Sequence, residues 1–321
     1  MEQRSTTAWE FTDDRGHPAA AAEPPARVVA YIQAGAGLWD LGIRPVGIFG
    51  SYHDGEHPDR AKSGVLPLDD VAYLGAGAGL GLDDVLAVRP DLVVALTYGG
   101  GQVYGIEPDT AKHLEEHVPV VVIDVGQGRS LAGVRERFAE LGRSLGAAEE
   151  PSVLAELERA ERELADVAAR SAGGARVLAL SPGGADSVHL ARPGKWPDLS
   201  ALGGLGVRTV EPPEGPGANW HTGTWGDAAE LAPDVVLLDA RANAAPADEY
   251  VGDPQWAAVA ERALVLPWNP ELAASAVAHA AFFDAVAGRC ARGRDAPGPV
   301  GPSAGGLVGD RLVGVDAAGA R

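Results

Sequence analysis

The chain has 321 residues, of which 46% are hydrophobic and 22% charged, a composition typical of soluble globular proteins. This length exceeds one ordinary hydrophobic core and suits two lobes. The formal net charge of −19 argues against nucleic acids and anionic membranes as partners, because both repel an acidic surface. The single cysteine, Cys290, excludes a disulfide framework and a cysteine-based metal site.

The two ends of the chain give weak signals. Residues 1–18 contain no basic segment followed by an apolar core, so the sequence as written predicts a cytoplasmic protein without a secretory signal. No apolar run approaches the roughly 20 residues that a membrane span needs. Residues 291–321 are rich in glycine, proline and alanine without periodicity, and we expect them to be disordered.

Short apolar runs alternate with helical segments along both halves of the chain. Predicted strands in the first half lie at residues 27–31, 46–49, 92–96 and 118–124, and in the second half at 175–181, 207–210, 235–239 and 263–267. Helical patterns separate most of these runs. Alternation of this kind predicts an α/β fold with mostly parallel sheets covered by helices.

A long amphipathic helix is predicted at residues 151–170, near the middle of the chain. Its apolar positions, among them Leu157 and Leu164, recur at the three-and-four spacing of a single helical face. At about 1.5 Å per residue the helix is about 30 Å long, roughly the width of a small domain. We interpret it as a rigid connection between two lobes. The predicted organisation is therefore a first lobe over 1–148, an interlobe helix over 149–172, a second lobe over 173–290 and a tail over 291–321.

One motif occurs once in each half. The segments DVLAVRPDLVVAL (84–96) and DAAELAPDVVLLD (227–239) both place an aspartate six residues before a Pro-Asp pair that opens an apolar strand. A helix that ends at Pro-Asp and passes into a buried strand explains each copy by itself. Two copies at the same spacing favour two Rossmann-like lobes of related build. The carboxyl ends of their strands would then surround one cleft, where ligands bind in such sheets.

Two motifs that suggest cofactors are better explained structurally. The glycine-rich segment 75–81 does not fit the dinucleotide fingerprint, because leucine stands where its last glycine should be, and no strong strand precedes it. We interpret it as a close-packed loop. The segment HLEEH (113–117) places His113 and His117 on one helical face, as a zinc site would, but no third ligand is evident. A solvated helix end is the favoured interpretation.

Three further histidines, His53, His189 and His221, fall in predicted loops near the cleft. A metal-ion receptor would use scattered imidazoles with a carboxylate in this way. Ordinary hydrogen bonding within the loops explains them equally simply and is favoured. We therefore assign no metal site from the sequence.

Aromatic residues carry the strongest functional signal. Five of the seven tryptophans lie in the second half of the chain, interleaved with Lys195 and two arginines. Broad apolar faces beside a few cations suit a bulky, anionic, partly aromatic ligand. The predicted cleft residues are Tyr52, Tyr98, Tyr104, Arg192, Trp196, Trp220, Trp225, Arg241 and Trp268. Trp9, Trp39 and Trp256 are expected to serve packing.

The order of these segments resembles the class III substrate-binding proteins of ABC importers, which receive ferric siderophores, haem and cobalamin. The resemblance covers roughly residues 9–290. It includes WEFTDDRGHP, PARVVAYIQAGAGLWDLGI, GLDDVLAVRPDLVVA, VPVVVIDV, the central helix, WGDAAELAPDVVLLD and DPQWAAVAERALVLP, in the order of that family.

The resemblance implies two α/β lobes joined by one rigid helix, a ligand between them and little closure on binding. It also implies that an acidic residue at a helix start in each lobe docks onto a permease. Asp83 occupies that place in the first lobe. In the second lobe the equivalent position is Gly226, with Asp227 beside it. The resemblance further implies an extracytoplasmic location, in contrast to the missing signal.

The functional hypothesis is a monomeric, non-catalytic receptor for a ferric siderophore, with iron present only inside the ligand and no cofactor of its own. Arg192 and Arg241 would pair with carboxylate, catecholate or hydroxamate oxygens. One alternative keeps this role but changes the ligand to cobalamin, haem or a metal ion. A second alternative is a cytosolic enzyme that handles metal complexes on the same scaffold, although no nucleophile-base pair is apparent.

Overall fold

A computed structural model describes residues 8–292 except 127, 149 and 171–173. The predicted tail therefore lies outside the described residues, apart from the end of the last helix. The strands are β1 (Trp9–Thr12), β2 (Pro18–Ala21), β3 (Val28–Tyr31), β4 (Gly47–Gly50), β5 (Ala72–Ala76), β6 (Leu92–Thr97), β7 (Val120–Asp124), β8 (Arg176–Pro182), β9 (Val188–Ala191), β10 (Arg208–Thr209), β11 (Trp220–Gly223), β12 (Val235–Asp239) and β13 (Leu264–Trp268).

Helices occupy the segments between most of these strands. They are α1 (Ile32–Asp40), α2 (Leu82–Ala87), α3 (Pro108–Glu115), α4 (Leu131–Ser144), α5 (Pro151–Arg170), α6 (Pro197–Gly204), α7 (Trp225–Glu230), α8 (Pro254–Arg262) and α9 (Ala276–Arg292). None of the described helices is long and apolar enough to cross a membrane.

The first lobe is built on a fully parallel sheet with the strand order β5-β4-β3-β6-β7. Strands β3, β4 and β6 are buried along their whole lengths, as expected for a parallel sheet covered on both faces. The predictions missed β5, a half-buried edge strand that leads directly into the glycine-rich segment 75–81, where the sequence analysis expected no strong strand. The hairpin of β1 and β2 adds Trp9 and Phe11 to the same core.

The second lobe contains a mixed sheet with the strand order β11-β9-β8-β12-β13, and β10 pairs with the start of β8. Strands β8, β12 and β13 are parallel, whereas β9 is antiparallel to β8 and to β11. The sequence predicted the parallel part and missed β9 and β11. Both are four-residue strands without the apolar run that marks a covered strand.

The repeated motif forms the same hydrogen-bonded corner in each lobe. In the first lobe the Asp91 carboxylate accepts from the backbone N–H of Arg27, and the Arg27 guanidinium donates to the end of α2. In the second lobe Asp234 accepts from the N–H of Arg176, whose guanidinium donates to the end of α7. Each pair joins the strand after the helix to its neighbour in the sheet. The two lobes are therefore related in local construction.

The central helix α5 buries the stripe that the sequence predicted, including Leu157, Ala160 and Leu164. This stripe packs along α9 and belongs to the core of the second lobe. Arg159 reinforces the contact by pairing with Asp284 of α9 at 2.7 Å. The helix thus connects the lobes in the chain and packs as part of the second, while the residue boundaries between lobes stay a prediction.

A second connection between the lobes is the segment 269–275, which leads from β13 to α9. Ala273 and Ala274 are buried in the core of the first lobe. The Gln33 side-chain amide donates to the Leu272 carbonyl at 2.8 Å. The Asn269 amide donates to the carbonyl of residue 61 at 2.6 Å. These bonds fix the position of one lobe against the other.

Candidate ligand-binding site

A cavity of about 370 Å³ lies between the two lobes. This volume is within the range of about 300–1,000 Å³ of small-molecule sites. The first lobe lines it with Gln33, His53, Tyr98, Tyr104, Val125, Gly126, Leu131 and Val134. The second lobe contributes Lys195, Trp196, Pro197, Asp198, Asn219, Trp220, Arg241 and Asn243, and the connecting segment with α9 adds Pro270, Glu271, Leu272, Ala274 and His279.

The second-lobe wall is formed by tryptophans that pack edge to face. Trp196 and Trp220 line the cavity with their ring centroids 4.9 Å apart. Trp268 packs behind them, 5.8 Å from Trp196 and 6.0 Å from Trp220, and is almost fully buried. The indole N–H of Trp196 donates to the Asn219 carbonyl at 3.1 Å, and that of Trp268 to Asp198 at 2.6 Å. The wall is therefore broad, apolar and held in place.

The first-lobe wall is formed by tyrosines. Tyr98 and Tyr104 lie edge to face at 4.8 Å, and Tyr31 packs behind Tyr104 at 5.5 Å. Tyr98 as a whole residue is 37% exposed, and its hydroxyl donates to Gln33 Oε1 at 3.3 Å. Burial, together with the negative charge of Glu271, raises the pKa of Tyr104 to about 12 and also raises the pKa of Tyr98 well above its ordinary value. Both residues are neutral phenols near neutral pH.

Buried ion pairs form a polar corner beside the tyrosines. Glu271 pairs with Lys62 at 3.1 Å and with Arg241 at 3.0 Å, and it accepts a hydrogen bond from the Tyr31 hydroxyl. Lys62 also pairs with Asp54 at 2.7 Å. Residues from both lobes thus contribute to one network, and Glu271 lies at its centre.

Arg241 reaches the cavity wall but does not present a free charge to it. Its guanidinium pairs with Asp239 at 2.8 Å in addition to Glu271. The acids and the hydrogen bonds raise the pKa of Arg241 further above its ordinary value, although burial opposes them as the largest single influence. Arg241 therefore stays charged and paired.

Two lining residues that the sequence analysis did not single out, Asp198 and His279, have perturbed pKa values. Burial raises the pKa of Asp198 to about 6, although the hydrogen bond from Trp268 opposes this shift. Burial lowers the pKa of His279 to about 3, and the positive charge of Arg135 adds to the effect. The Nε2 atom of His279 is buried and has no hydrogen-bond partner among the described residues. It is a neutral imidazole at the cavity wall.

We expect His279→Gln to reduce the loss of stability on acidification. In the native chain burial keeps His279 neutral. Its contribution to the free energy of unfolding is therefore complete above the unfolded pKa of 6.5, and it declines as the pH falls toward the folded pKa of about 3. Between pH 6.5 and about pH 5 the decline amounts to about 2 kcal/mol. Urea unfolding of both proteins across this range measures it.

Asp198 changes the stability with pH in the opposite direction to His279. Because Asp198 is present in both proteins, its effect cancels when the native chain and the variant are compared. Its raised pKa makes its contribution complete below about pH 3.8 and lost as the pH rises through about 6. Parallel stability curves for the native chain and the His279→Gln variant would contradict the prediction.

Three of the residues predicted to line the cleft lie elsewhere. Trp225 is buried on the other face of the second-lobe sheet, where it stacks on Tyr250 at 5.0 Å and contacts Trp256. The Arg192 side chain points to loop 213–217 and does not line the cavity. Tyr52 is 47% exposed and lines an adjoining surface depression on the far side of Tyr98 and Tyr104.

The reasons for these corrections are local. Trp225 occupies the first position of α7, so its side chain packs under the helix. Arg192 donates to the carbonyls of Pro213, Gly215 and Gly217 at 3.2, 3.1 and 3.3 Å and thereby holds loop 213–217. Tyr98, Tyr104, Trp196, Trp220 and Arg241 are brought together at the cavity, with Trp268 behind them.

The histidines have separate places in the structure. His53 lines the cavity, whereas His189 and His221 lie on β9 and β11, where His189 Nδ1 contacts the Thr222 hydroxyl at 3.0 Å. His117 follows the end of α3, and its Nδ1 lies 2.8 Å from the His113 carbonyl, in keeping with a helix end. Within the described ranges, no group of three or more histidine, cysteine or acidic side chains is arranged to hold a metal ion.

The glycine-rich segment 75–81, predicted to be a close-packed loop, packs closely only in part, because Gly77 and Leu80 are buried whereas Ala78 and Gly79 are exposed. It contains the end of β5 and a short helical turn. Gly77 has φ of +52°, and a Cβ atom there would lie 2.9 Å from the Tyr52 ring. Glycine is required at this position by both its backbone angle and its contact.

The two acids predicted to dock onto a permease differ in their surroundings. Asp83 is exposed in the first turn of α2. Asp227 instead caps its own helix, because its carboxylate accepts from the Thr224 N–H at 2.7 Å and from the Thr224 hydroxyl at 2.9 Å. These bonds lower the pKa of Asp227. The Asp227 carboxylate is therefore already hydrogen-bonded to the residue immediately before α7.

Some of the lining residues that the sequence analysis missed could have been identified by their positions relative to the predicted strands and helices. Gln33 lies in the first turn after β3, and Glu271 lies three residues after β13, so both follow the carboxyl end of a strand. Asp198 follows the proline that opens α6. His279 had no signal, because a histidine within an apolar helix is ordinarily a packing residue.

No family model matches the chain, and no curated protein matches it. Among solved structures, it is similar to DesE, a ferric-siderophore receptor protein from Streptomyces coelicolor, with 26% identity and a TM-score of 0.78 over 89% of this chain and 98% of DesE. A periplasmic solute-binding protein from Mycobacterium smegmatis matches at 19% identity and a TM-score of 0.60, over 89% of this chain and 98% of that protein.

A third similar structure is the periplasmic haem-binding protein RhuT from Roseiflexus sp. RS-1, at 15% identity and a TM-score of 0.61, over 83% of this chain and 98% of that protein. All three neighbours are receptor or binding proteins. The predicted two-lobed α/β fold class is confirmed. The chain has the fold of the class III periplasmic solute-binding proteins, which it was predicted to resemble from the order of its sequence motifs.

Proposed function

We propose that the chain is a receptor that holds a ferric siderophore between its two lobes. The observation that carries this proposal is the interlobe cavity, which has a tryptophan wall on one side and a tyrosine wall on the other. Rigid aromatic faces of this kind suit a bulky, partly apolar complex. The similarity to a ferric-siderophore receptor over nearly the whole described chain supports the same ligand class.

The chemistry of the walls favours a pre-formed iron complex over a bare metal ion. Tyrosine binds ferric iron as a phenolate, and the raised pKa values of Tyr98 and Tyr104 oppose that form. The described residues also contain no group of three or more histidine, cysteine or acidic side chains that could hold a metal ion. Iron would therefore enter with its coordination shell supplied by the ligand, and the protein would contact that shell.

Delivery to an ABC importer outside the cytoplasm is part of the proposal. It is supported by the periplasmic binding proteins among the structural neighbours. Asp83, which is exposed at the start of α2, is available to contact a permease. Asp227 is a weaker candidate, because its carboxylate caps α7.

Tryptophan fluorescence during titration with ferric siderophores, haem and cobalamin tests the proposal. Trp196 and Trp220 line the cavity, so a bound ferric complex should quench their emission. We expect saturable quenching with an apparent Kd below about 1 μM for at least one ferric siderophore, which corresponds to about −8 kcal/mol. The iron-free siderophore is the control for the role of the metal complex.

Each alternative gives a different result in this titration. Tight binding of haem or cobalamin, with no response to any ferric siderophore, would replace the proposed ligand. A flat response to the whole panel, in protein shown to be folded by circular dichroism, would overturn the siderophore proposal. Turnover of a ferric complex would favour the enzyme alternative.

A further inference from the structure

The two arginines predicted to bind an anionic ligand, Arg192 and Arg241, are bonded to groups of the protein itself. Arg192 donates to three backbone carbonyls of loop 213–217 and does not line the cavity. Arg241 lines the cavity but is paired with Asp239 and Glu271. An anionic ligand would have to compete with these internal partners for the guanidinium.

The polar corner carries more negative than positive charge. Its three carboxylates, from Asp54, Asp239 and Glu271, face two cations, Lys62 and Arg241. One negative charge is left over. The side chains of Asp54, Asp239 and Lys62 are fully buried, and those of Glu271 and Arg241 nearly so. Charges in such surroundings are weakly screened.

The rest of the cavity wall does not reverse this balance. Asp198 adds a further buried carboxyl to the cavity wall, and this group is mostly ionised above its pKa of about 6. His279 is neutral near neutral pH, because its pKa is about 3. Lys195 and His53 also line the cavity, but both residues are exposed to solvent, which screens charge. Among the described lining residues, therefore, no buried cation lacks an acidic partner.

We propose that the cavity selects a ferric complex with no net negative charge, a selectivity that rests on the proposed siderophore function. Three hydroxamate groups neutralise ferric iron, so a ferric trihydroxamate is neutral, or cationic if it carries an ammonium group. Three catecholates leave the complex with three negative charges. The first kind fits the charge of the cavity, whereas the second places like charges together in a buried interface, which opposes binding.

A charge series on one ligand separates charge from shape. The probe is a linear ferric trihydroxamate with a terminal amine, used as the free ammonium form, the N-acetyl form and the N-succinyl form. The iron shell is the same in all three, and the complexes are cationic, neutral and anionic. Isothermal titration calorimetry at low and moderate salt gives the affinities.

We expect the ammonium and acetyl forms to bind at least about 10-fold more tightly than the succinyl form, a difference of about 1.4 kcal/mol. A ferric tricatecholate should bind at least about 100-fold more weakly than the neutral form. Added salt should weaken binding of the ammonium form more than that of the acetyl form, because it screens charge attraction.

Glu271→Gln tests the source of the selectivity, because it removes the surplus negative charge. We expect this variant to bind the succinyl form more tightly, relative to the ammonium form, than the native chain does. Glu261→Gln is the matched control, since Glu261 is exposed on α8 and does not line the cavity. If Glu271→Gln does not fold, the charge series on the native chain still decides the matter.

The outcomes distinguish this inference from the function on which it rests. If the succinyl form or the tricatecholate binds as tightly as the ammonium form, the charge selectivity is wrong and the receptor function stands. If no ferric siderophore binds to folded protein, both proposals fail. If folded Glu271→Gln prefers the ammonium form over the succinyl form as strongly as the native chain does, the polar corner is not the source of the charge selectivity.

Discussion

Replacing Lys62 by methionine lowers the free energy of unfolding by about 3–5 kcal/mol, because two buried carboxylates then lose their shared cation. The Lys62 ammonium lies 2.7 Å from Asp54 and 3.1 Å from Glu271, and none of its side chain is exposed. It also donates to the Ser51 hydroxyl at 3.2 Å. Methionine fills similar space but can supply neither the charge nor the donors.

Urea denaturation, followed by fluorescence and circular dichroism, measures the Lys62 effect. Lys112→Met is the matched control, because Lys112 is exposed on α3, and its change should stay within about 0.5 kcal/mol. A double-mutant cycle with Asp54→Asn should show strong coupling, since the second substitution removes one of the uncompensated charges. A loss below about 1 kcal/mol for Lys62→Met would show that the network is not essential for stability.

The same network bears on how the lobes move. Lys62 and Asp54 belong to the first lobe, whereas Glu271 lies on the segment that connects β13 to α9. Further bonds cross at Gln33 and Asn269. Buried partners of this kind separate only at a high cost in free energy. This arrangement favours a pre-formed cavity over large closure around the ligand.

Trp220→Ala lowers the affinity for the siderophore by about 30- to 100-fold, or about 2–3 kcal/mol. Trp220 lines the cavity and lies 4.9 Å from Trp196 and 6.0 Å from Trp268. Truncation removes ligand contact and the edge-to-face packing that orients Trp196. Large aromatic side chains at the centre of a binding surface commonly dominate its energy.

Calorimetry is the suitable measurement for Trp220→Ala, because the substitution removes part of the fluorescence signal. Trp39→Ala is the matched control. Trp39 lies on α1, where Arg44 stacks on its ring at 3.8 Å, and it does not line the cavity. We expect its affinity to match that of the native chain. An unchanged Kd for folded Trp220→Ala would show that the tryptophan wall does not contribute to ligand binding.

Periodicity and motif order determined the architecture, because they reflect local constraints that hold wherever a segment lies. The stripe of α5 and the apolar runs of β3, β6, β8 and β12 were all readable from the sequence. The repeated Pro-Asp motif also indicated the related lobes, since it sets the helix end and the strand start in each. Strands β9 and β11 were not predicted, because they lack continuous apolar runs.

The sequence by itself placed tyrosines, tryptophans and arginines near a cleft, but only the tertiary structure decided which of them face it. Trp220 and Trp225 are five residues apart, and one lines the cavity while the other is buried beneath α7. Arg192 was equally able to face a ligand or a loop, and the carbonyls of 213–217 hold it. Glu271 became the centre of the polar corner because the fold brings it to Lys62. Residue type limits what a side chain can do, whereas the partners that the fold supplies determine its charge balance and direction.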